Sequence, residues 1–173
     1  MRLVRLDANG IESLLEAWRL VGRQSGIPDE DLDDSNHQYA LGIARENPQD
    51  DRYGIFGLCD EMGGYHVYCH VNLANLKRSF GKTLRCLWPV VSPYYDFGCA
   101  SDEDLHFLLT NFVNGRQCLA QEKGAVNLKL HFGSASDRPF LQKVVEALLE
   151  QKLEALSYGA WLEIKNLPRS TPT

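Results

Sequence analysis

Three side chains in this sequence have types and positions suited to proton transfer near neutral pH, namely Tyr94, Tyr95 and His131. His131 ends the stretch AVNLKLHF, whose alternation places it on one face with Asn127 and Lys129. A neutral imidazole there is a suitable general base. The two tyrosines follow an apolar stretch, where a phenol can donate a proton or position a substrate. The structural alternatives are a solvent-facing histidine at a strand end and two rings that anchor a turn.

His66 and His70 lie four residues apart in YHVYCH and raise the question of a metal site. The residues around them, Val67, Tyr68 and Val71, favour a strand. On a strand, residues four apart are about 13 Å from each other, which is too far for one ion. The sequence therefore predicts sheet-face histidines and no metal site, with an imidazole that acts as a base in a cleft as the alternative.

Composition limits the classes of function. The 173 residues include 18 basic and 23 acidic side chains, for a net charge of −5, which excludes a nucleic-acid binder that relies on a basic surface. No stretch approaches the ~18 apolar residues of a membrane span. Five cysteines without a C-x-x-C pair indicate reduced thiols and a cytoplasmic protein. The acidic run over residues 29–34 predicts a solvated loop, with recruitment of a cationic amine as the alternative.

The periodicity of apolar residues predicts the elements that position these side chains, in one domain over residues 1–173 with a disordered tail at 166–173. The first expected elements are a strand at 1–7, a helix capped by Asn9 and a helix at 36–45. Three strands follow at 53–61, 65–73 and 82–93, with a Gly63-Gly64 turn between the first two. The remaining elements are a helix from Ser101 to Lys123, a strand at 125–132, a helix at 138–151 and a final strand at 153–164. The strand-helix-strand passage after residue 84 predicts two parallel strands.

Pro89 interrupts the third strand of the predicted meander, between Trp88 and Val90. Proline has no N–H to donate to a ladder, so it belongs at a bulge or in an unpaired stretch of a central strand. The alternative is an edge strand.

This succession of elements, together with LRCLWPVVS and the turn that follows it, resembles the GNAT superfamily of N-acyltransferases. The resemblance implies an α/β (α+β) fold with a mixed, mostly antiparallel sheet and helices on both faces. It further implies transfer of an acyl group, typically acetyl, from a coenzyme A thioester to an amine on a small molecule or peptide. No nucleic acid or membrane partner is expected.

The resemblance also assigns roles to residues of this sequence. The donor thioester would lie in a cleft where the strand with Pro89 splays from the strand that ends at His131. His131, Tyr94 or Tyr95 would handle protons. The expected donor contacts are the backbone of Val90, Val91 and Ser92 along the pantetheine arm, and the turn Gly98, Cys99 and Ala100 at the phosphate end. A reactive thiolate at Cys99 is an alternative use of that turn.

The sequence departs from the family pattern in four places. Tyr95 stands where the family's cofactor loop begins with a basic or amide residue, and three carboxylates follow Ser101, where they would repel a pyrophosphate. Ser101 and Asp104 instead suggest a helix capping box. The last helix has no tyrosine, and one strand follows it where two are usual. These departures leave three alternatives open: a non-catalytic binding or assembly module, an acyl carrier protein as donor, and a homodimer formed by strand pairing.

Overall fold

A computed structural model describes residues 1–32, 35–46, 50, 52–75, 81–131, 145–146, 148–149 and 152–167. Most of the predicted last helix, the loop before it and residues 168–173 lie outside the described residues. Within the described part, no helix is both long enough and apolar enough to cross a membrane.

The described residues form one sheet of seven strands: β1 (Arg2–Leu6), β2 (Tyr53–Cys59), β3 (Tyr65–Asn75), β4 (Lys82–Val91), β5 (Asn127–His131), β6 (Glu154–Tyr158) and β7 (Trp161–Lys165). Their order across the sheet is β1-β2-β3-β4-β5-β7-β6. β4 and β5 pair in parallel, whereas the pairs β1/β2, β5/β7 and β6/β7 are antiparallel. The predicted α/β class with a mixed, mostly antiparallel sheet is therefore confirmed.

Four helices are described: α1 (Ala8–Gln24), α2 (Ser35–Glu46), α3 (Pro93–Asp96) and α4 (Asp102–Glu122). The prediction that Asn9 caps the first helix is wrong. Asp7 is the cap, and its Oδ1 accepts the Gly10 N–H at 2.7 Å, because a cap side chain binds the backbone two or three residues ahead. Part of the predicted acidic loop, Asp29–Leu32, forms a short 3-10 turn.

The chain forms two compact units, the first made of residues 1–70 and 90–115 and the second of residues 71–89 and 116–173. The expected single domain stays a prediction. In the first unit, α1 and α2 bury an apolar cluster against one face of β1 and β2, through Leu6 and Ile55. On the opposite face, Gly115 of α4 lies over Leu3 and Leu58, so helices cover both faces there, as predicted.

In the second unit, one sheet face forms the core. Its fully buried side chains are Leu84, Cys86, Leu128, Leu130, Leu162 and Ile164. The predicted single final strand is wrong: β6 and β7 form a hairpin that turns at Gly159, where φ is 58°. The two strands expected from the resemblance are thus both present, which removes the reason given for a homodimer.

The sequence placed the start of a disordered tail at residue 166, and this boundary is too early. Leu167 is buried, with 5% of its surface exposed, and its N–H donates to the Val126 carbonyl at 2.9 Å. Apolar burial and a backbone hydrogen bond therefore hold the chain in place through residue 167.

Candidate functional site

β4 departs from strand geometry where the sequence predicts an interruption. Trp88 has φ 47°, in the left-handed region that bulky residues rarely adopt, and Pro89 follows it. Such a residue within a strand is typical of a β-bulge. Pairing with β5 extends from Thr83–Asn127 to Cys86–Leu130, whereas β4 continues to Val91. The predicted interruption of this strand is therefore found.

The end of β4 is joined to the start of β3 by a backbone hydrogen bond. The Ser92 N–H donates to the His66 carbonyl at 2.9 Å, and Ser92 is buried. Pro93 then begins α3, a position that favours proline because its fixed φ suits the first helical turn. The residue before His66 is held by α1, because Trp18 Nε1 donates to the Tyr65 carbonyl at 2.8 Å. The Ser92–His66 bond places α3, which begins at the next residue, beside His66.

A chain of three side chains results from this placement. Tyr95 Oη lies 3.1 Å from His66 Nδ1, and His66 Nε2 lies 2.9 Å from Asp60 Oδ2. The rings of His66 and Tyr95 meet edge to face, with centroids 5.9 Å apart. We call Tyr95, His66 and Asp60 the hydrogen-bonded triad. Its members come from the end of β2, the start of β3 and α3.

Asp60 also fixes the turn between β2 and β3. Its Oδ1 accepts the N–H groups of Met62 and Gly64, at 2.8 and 2.9 Å. The hydrogen bond from His66, together with those two, lowers the pKa of Asp60, so the carboxyl is ionised at neutral pH. Burial raises the pKa of Tyr95, and the negative charge of Asp104 adds to this, so the phenol keeps its proton.

Tyr94 has a different partner. Its hydroxyl donates to Asp104 Oδ2 at 3.2 Å, and this hydrogen bond raises the pKa of Tyr94. The same carboxylate accepts the Ser101 N–H at 3.0 Å and the Ser101 Oγ–H at 2.7 Å, while the Asp104 N–H donates to Ser101 Oγ. This is the capping box suggested by the sequence. Tyr94 thus anchors α3 to the start of α4, and its catalytic role stays a prediction.

The turn predicted to hold the phosphate end of a donor is open in shape. Gly98 has φ 74° and no atom within 4 Å of an added Cβ, and both Gly98 and Cys99 are exposed. Its charge is unsuited to a pyrophosphate, because Asp102, Glu103 and Asp104 form the first turn of α4 and no lysine or arginine occurs from residue 93 to 112. The carboxylates at this turn would therefore oppose the binding of a pyrophosphate.

His131, the third predicted proton carrier, belongs to the second unit. It pairs with Trp161 across β5 and β7, with ring centroids 4.7 Å apart, and the Arg85 guanidinium lies 5.5 Å from the centroid of the same indole ring. Among the described residues, its buried Nδ1 has no hydrogen-bond partner. The predicted role of His131 as a base, like the predicted cleft between β4 and β5, stays a prediction.

The sequence did not reveal Asp60 as a site residue, and it offered His66 only as an alternative base. Asp60 precedes the Gly63-Gly64 turn, which reads as an ordinary turn carboxylate. His66 and Tyr95 are 29 residues apart in sequence, and the pairing of β3 with the end of β4, which includes the Ser92–His66 backbone bond, brings them together. His70 is buried between Tyr39 and Tyr53, consistent with the sheet-face interpretation. Among the described residues, no group of three His, Cys, Asp or Glu side chains is placed to hold a metal ion.

Comparison with known proteins shows which fold this is. No protein-family model and no curated protein matches the sequence. The structure is similar to an acetyltransferase of the GNAT family from Staphylococcus aureus Mu50, with a TM-score of 0.51 and 9% identity over 96% of this chain and 99% of the other. It is also similar to a variant of the spermidine N-acetyltransferase SpeG from Vibrio cholerae, with a TM-score of 0.52 and 10% identity over 96% and 95%. The chain therefore has a GNAT-like fold.

Proposed function

We propose that this protein is an enzyme, an N-acyltransferase that moves an acyl group from a thioester to an amine on a small molecule or peptide in the cytoplasm. The observation that carries the proposal is the end of the pairing between β4 and β5 after Cys86, just before the left-handed residue Trp88, within a GNAT-like fold. Where β4 no longer pairs with β5, the edge of β4 can offer backbone N–H and C=O groups to an extended ligand.

The donor side of the proposed site consists mainly of backbone. Val90 and Val91, both half-buried, continue β4 beyond its last pair with β5, and Ser92 leads into α3. In the proposal, these residues contact the pantetheine arm, and Gly98 to Ala100 contact its far end. Because carboxylates surround that end, the acyl-pantetheine portion of the donor supplies most of the binding free energy. Acetyl-CoA and acetyl-pantetheine are therefore expected to bind with affinities within about threefold of each other, since the pyrophosphate adds little.

A calorimetric titration with each donor tests this proposal, with Gly98→Val as the diagnostic variant. Valine at φ 74° is strained by roughly 1–2 kcal/mol and fills the open space of the turn, so donor binding should be lost. Gly124→Val is the matched control, because Gly124 has φ 66° and equally open surroundings but follows the C-terminal end of α4, away from the turn at Gly98. We expect its Tm to fall by about as much as that of Gly98→Val and its donor affinity to stay at the wild-type value.

Two results would contradict the proposal. Absence of binding by the wild-type protein to both donors at millimolar concentration would remove the acyltransferase function and leave a non-catalytic module with this fold. Equal donor affinity in the wild type and Gly98→Val would show that the donor does not contact this turn. To measure acyl transfer itself, the release of free thiol from the donor is monitored in the presence of a panel of primary amines.

A further inference from the structure

We propose that the exposed rings of Tyr94, Phe97 and Phe107 form a docking surface for an arginine-rich segment of a partner protein. This inference goes beyond the proposed function and does not depend on it. It concerns the outer surface of α3 and of the first turns of α4, within the first unit. We call the three rings the aromatic patch.

The three rings of the aromatic patch are open to solvent. Tyr94 is 37% exposed, Phe97 45% and Phe107 56%. Single exposed apolar side chains are common on protein surfaces, whereas a contiguous group of them marks an interaction site. Aromatic side chains are also enriched at the centres of protein interfaces. The position of the rings relative to one another is therefore the deciding property.

Hydrogen bonds and helical spacing bring the rings together. The Phe97 N–H donates to the Pro93 carbonyl at 3.1 Å, so the helical turn of α3 carries Tyr94 and Phe97 three residues apart. Tyr94 Oη donates to Asp104 Oδ2 at 3.2 Å, and Phe107 is three residues after Asp104 on α4. Residues three apart on a helix are surface neighbours. Tyr94 thus connects Phe97 with Phe107, and the three rings form one surface.

Carboxylates lie next to the aromatic patch and have their charge available. Asp96 precedes Phe97, and Glu103 is one helical turn before Phe107. Asp96, Asp102 and Glu103 are exposed, and none of them forms a salt bridge or a side-chain hydrogen bond with another described residue. The surface therefore combines apolar rings with three negative charges.

Arginine is the side chain whose chemistry matches this combination. Its planar guanidinium stacks on an aromatic ring while it pairs with a carboxylate, whereas the lysine ammonium is a strongly hydrated point charge. The chain supplies no lysine or arginine of its own from residue 93 to 112. A nucleic acid or an anionic membrane surface would be repelled. Charge also disfavours a second copy of this chain, because each copy has a net charge of −5. The expected partner is therefore a basic polypeptide.

Fluorescence anisotropy with a labelled peptide of six Arg-Ala repeats tests this docking surface in the donor-free protein. Phe97→Ala/Phe107→Ala should raise the Kd roughly 5–30-fold, because two cation–π contacts are lost. Asp102→Asn/Glu103→Gln should raise the Kd roughly 2–30-fold at low salt, and added salt should reduce that difference. A peptide of six Lys-Ala repeats should bind the wild type at least about threefold more weakly than the arginine peptide.

Two double variants outside the aromatic patch are the matched controls. Leu20→Ala/Met62→Ala removes two exposed apolar side chains, and Glu16→Gln/Glu30→Gln removes two exposed carboxylates. Both should bind the arginine peptide with the wild-type Kd. The Tm of each variant shows whether it is folded. If Phe97→Ala/Phe107→Ala does not fold, the charge variant and the comparison of the arginine and lysine peptides decide the outcome.

Weaker peptide binding by the patch variants, with both controls at the wild-type Kd, is the expected result. Absence of binding by the wild type at low salt would overturn the docking surface. The same Kd in the wild type and in the patch variants would overturn it as well, since the peptide would then follow net charge alone. Sedimentation equilibrium that shows a wild-type dimer, dissociated in Phe97→Ala/Phe107→Ala, would assign the aromatic patch to a second copy of this chain instead.

Discussion

Lys129, Glu163 and Tyr158 form a cluster of polar side chains on the strands next to His131. Its geometry predicts how much the fold is destabilised when one charge is removed. Lys129 Nζ lies 2.9 Å from Tyr158 Oη and 3.4 Å from Glu163 Oε1, and the side chains of Lys129 and Glu163 are 17% and 10% exposed. Lys129 and Glu163 are direct partners across β5 and β7. Burial alone would lower the pKa of Lys129, but the hydrogen bond to Tyr158 and the charge of Glu163 outweigh it and raise that pKa.

Lys129→Met should therefore destabilise the fold strongly. Two unit charges 3.4 Å apart attract by about 5 kcal/mol at an effective dielectric of 20, which is an upper limit because desolvation opposes it. Removing one partner of a fully buried pair typically costs about 3–5 kcal/mol, and the residual solvent exposure here lowers the expected loss to about 2–3 kcal/mol. For a chain of this size, that lowers Tm by roughly 4–12 °C.

Urea unfolding of Lys129→Met, Glu163→Leu and the double variant measures the coupling. The double variant should recover about 2 kcal/mol relative to the sum of the single losses, because it leaves no buried charge without a partner. Lys165→Met is the control, since its partner Glu154 is 3.7 Å away and both side chains are exposed, so about 0–1 kcal/mol is expected. The reasoning would be refuted if the losses in free energy of unfolding of the two single variants simply added up in the double variant. It would also be refuted if Lys129→Met and Lys165→Met lost the same amount.

Two further predictions concern the donor turn and the end of the chain. The double variant Asp102→Asn/Glu103→Gln should raise the affinity for acetyl-CoA by roughly 3–30-fold, at about 0.3–1 kcal/mol per charge, and leave acetyl-pantetheine binding unchanged. Equal gains in affinity for both donors, measured by calorimetry, would contradict this prediction. Truncation after Asn166 should lower the free energy of unfolding by about 2–3 kcal/mol through loss of the buried Leu167, whereas truncation after Leu167 is the control and should change it little. Equal effects of the two truncations on urea unfolding would argue against that anchor.

Local sequence signals predicted the elements that depend on local chemistry. The Gly63-Gly64 turn between two β-rich runs predicted the β2–β3 hairpin, because a glycine with φ 87° closes it at Gly63. Pro89 predicted the interruption of β4, since a residue without an N–H cannot continue a ladder. The spacing of three residues between Ser101 and Asp104 predicted the capping box at the start of α4, where the two side chains are hydrogen-bonded.

The remaining features depend on contacts between distant segments. The β6–β7 hairpin was read as one strand because Gly159 is a weak turn signal within an otherwise continuous run of strand-forming residues. Leu167 looked like part of a polar tail, and only its bond to Val126 and its burial show that it belongs to the core. The Tyr95–His66 contact requires the register between β3 and the end of β4, which no local pattern encodes.

Tyr95 links the segment before the turn at Gly98 to Ala100 with His66 on β3. The GNAT pattern that this sequence resembles places a basic or amide residue there, where its side chain would face a phosphate. Here the side chain is a phenol bonded to His66, and the carboxylates of Asp102 and Glu103 follow in place of any cation. Both features are unfavourable for a pyrophosphate at this turn. The turn keeps its shape without any cation, because the hydrogen bonds of Tyr95 to His66, of Tyr94 to Asp104 and of Ser101 to Asp104 hold α3 and the start of α4 in place.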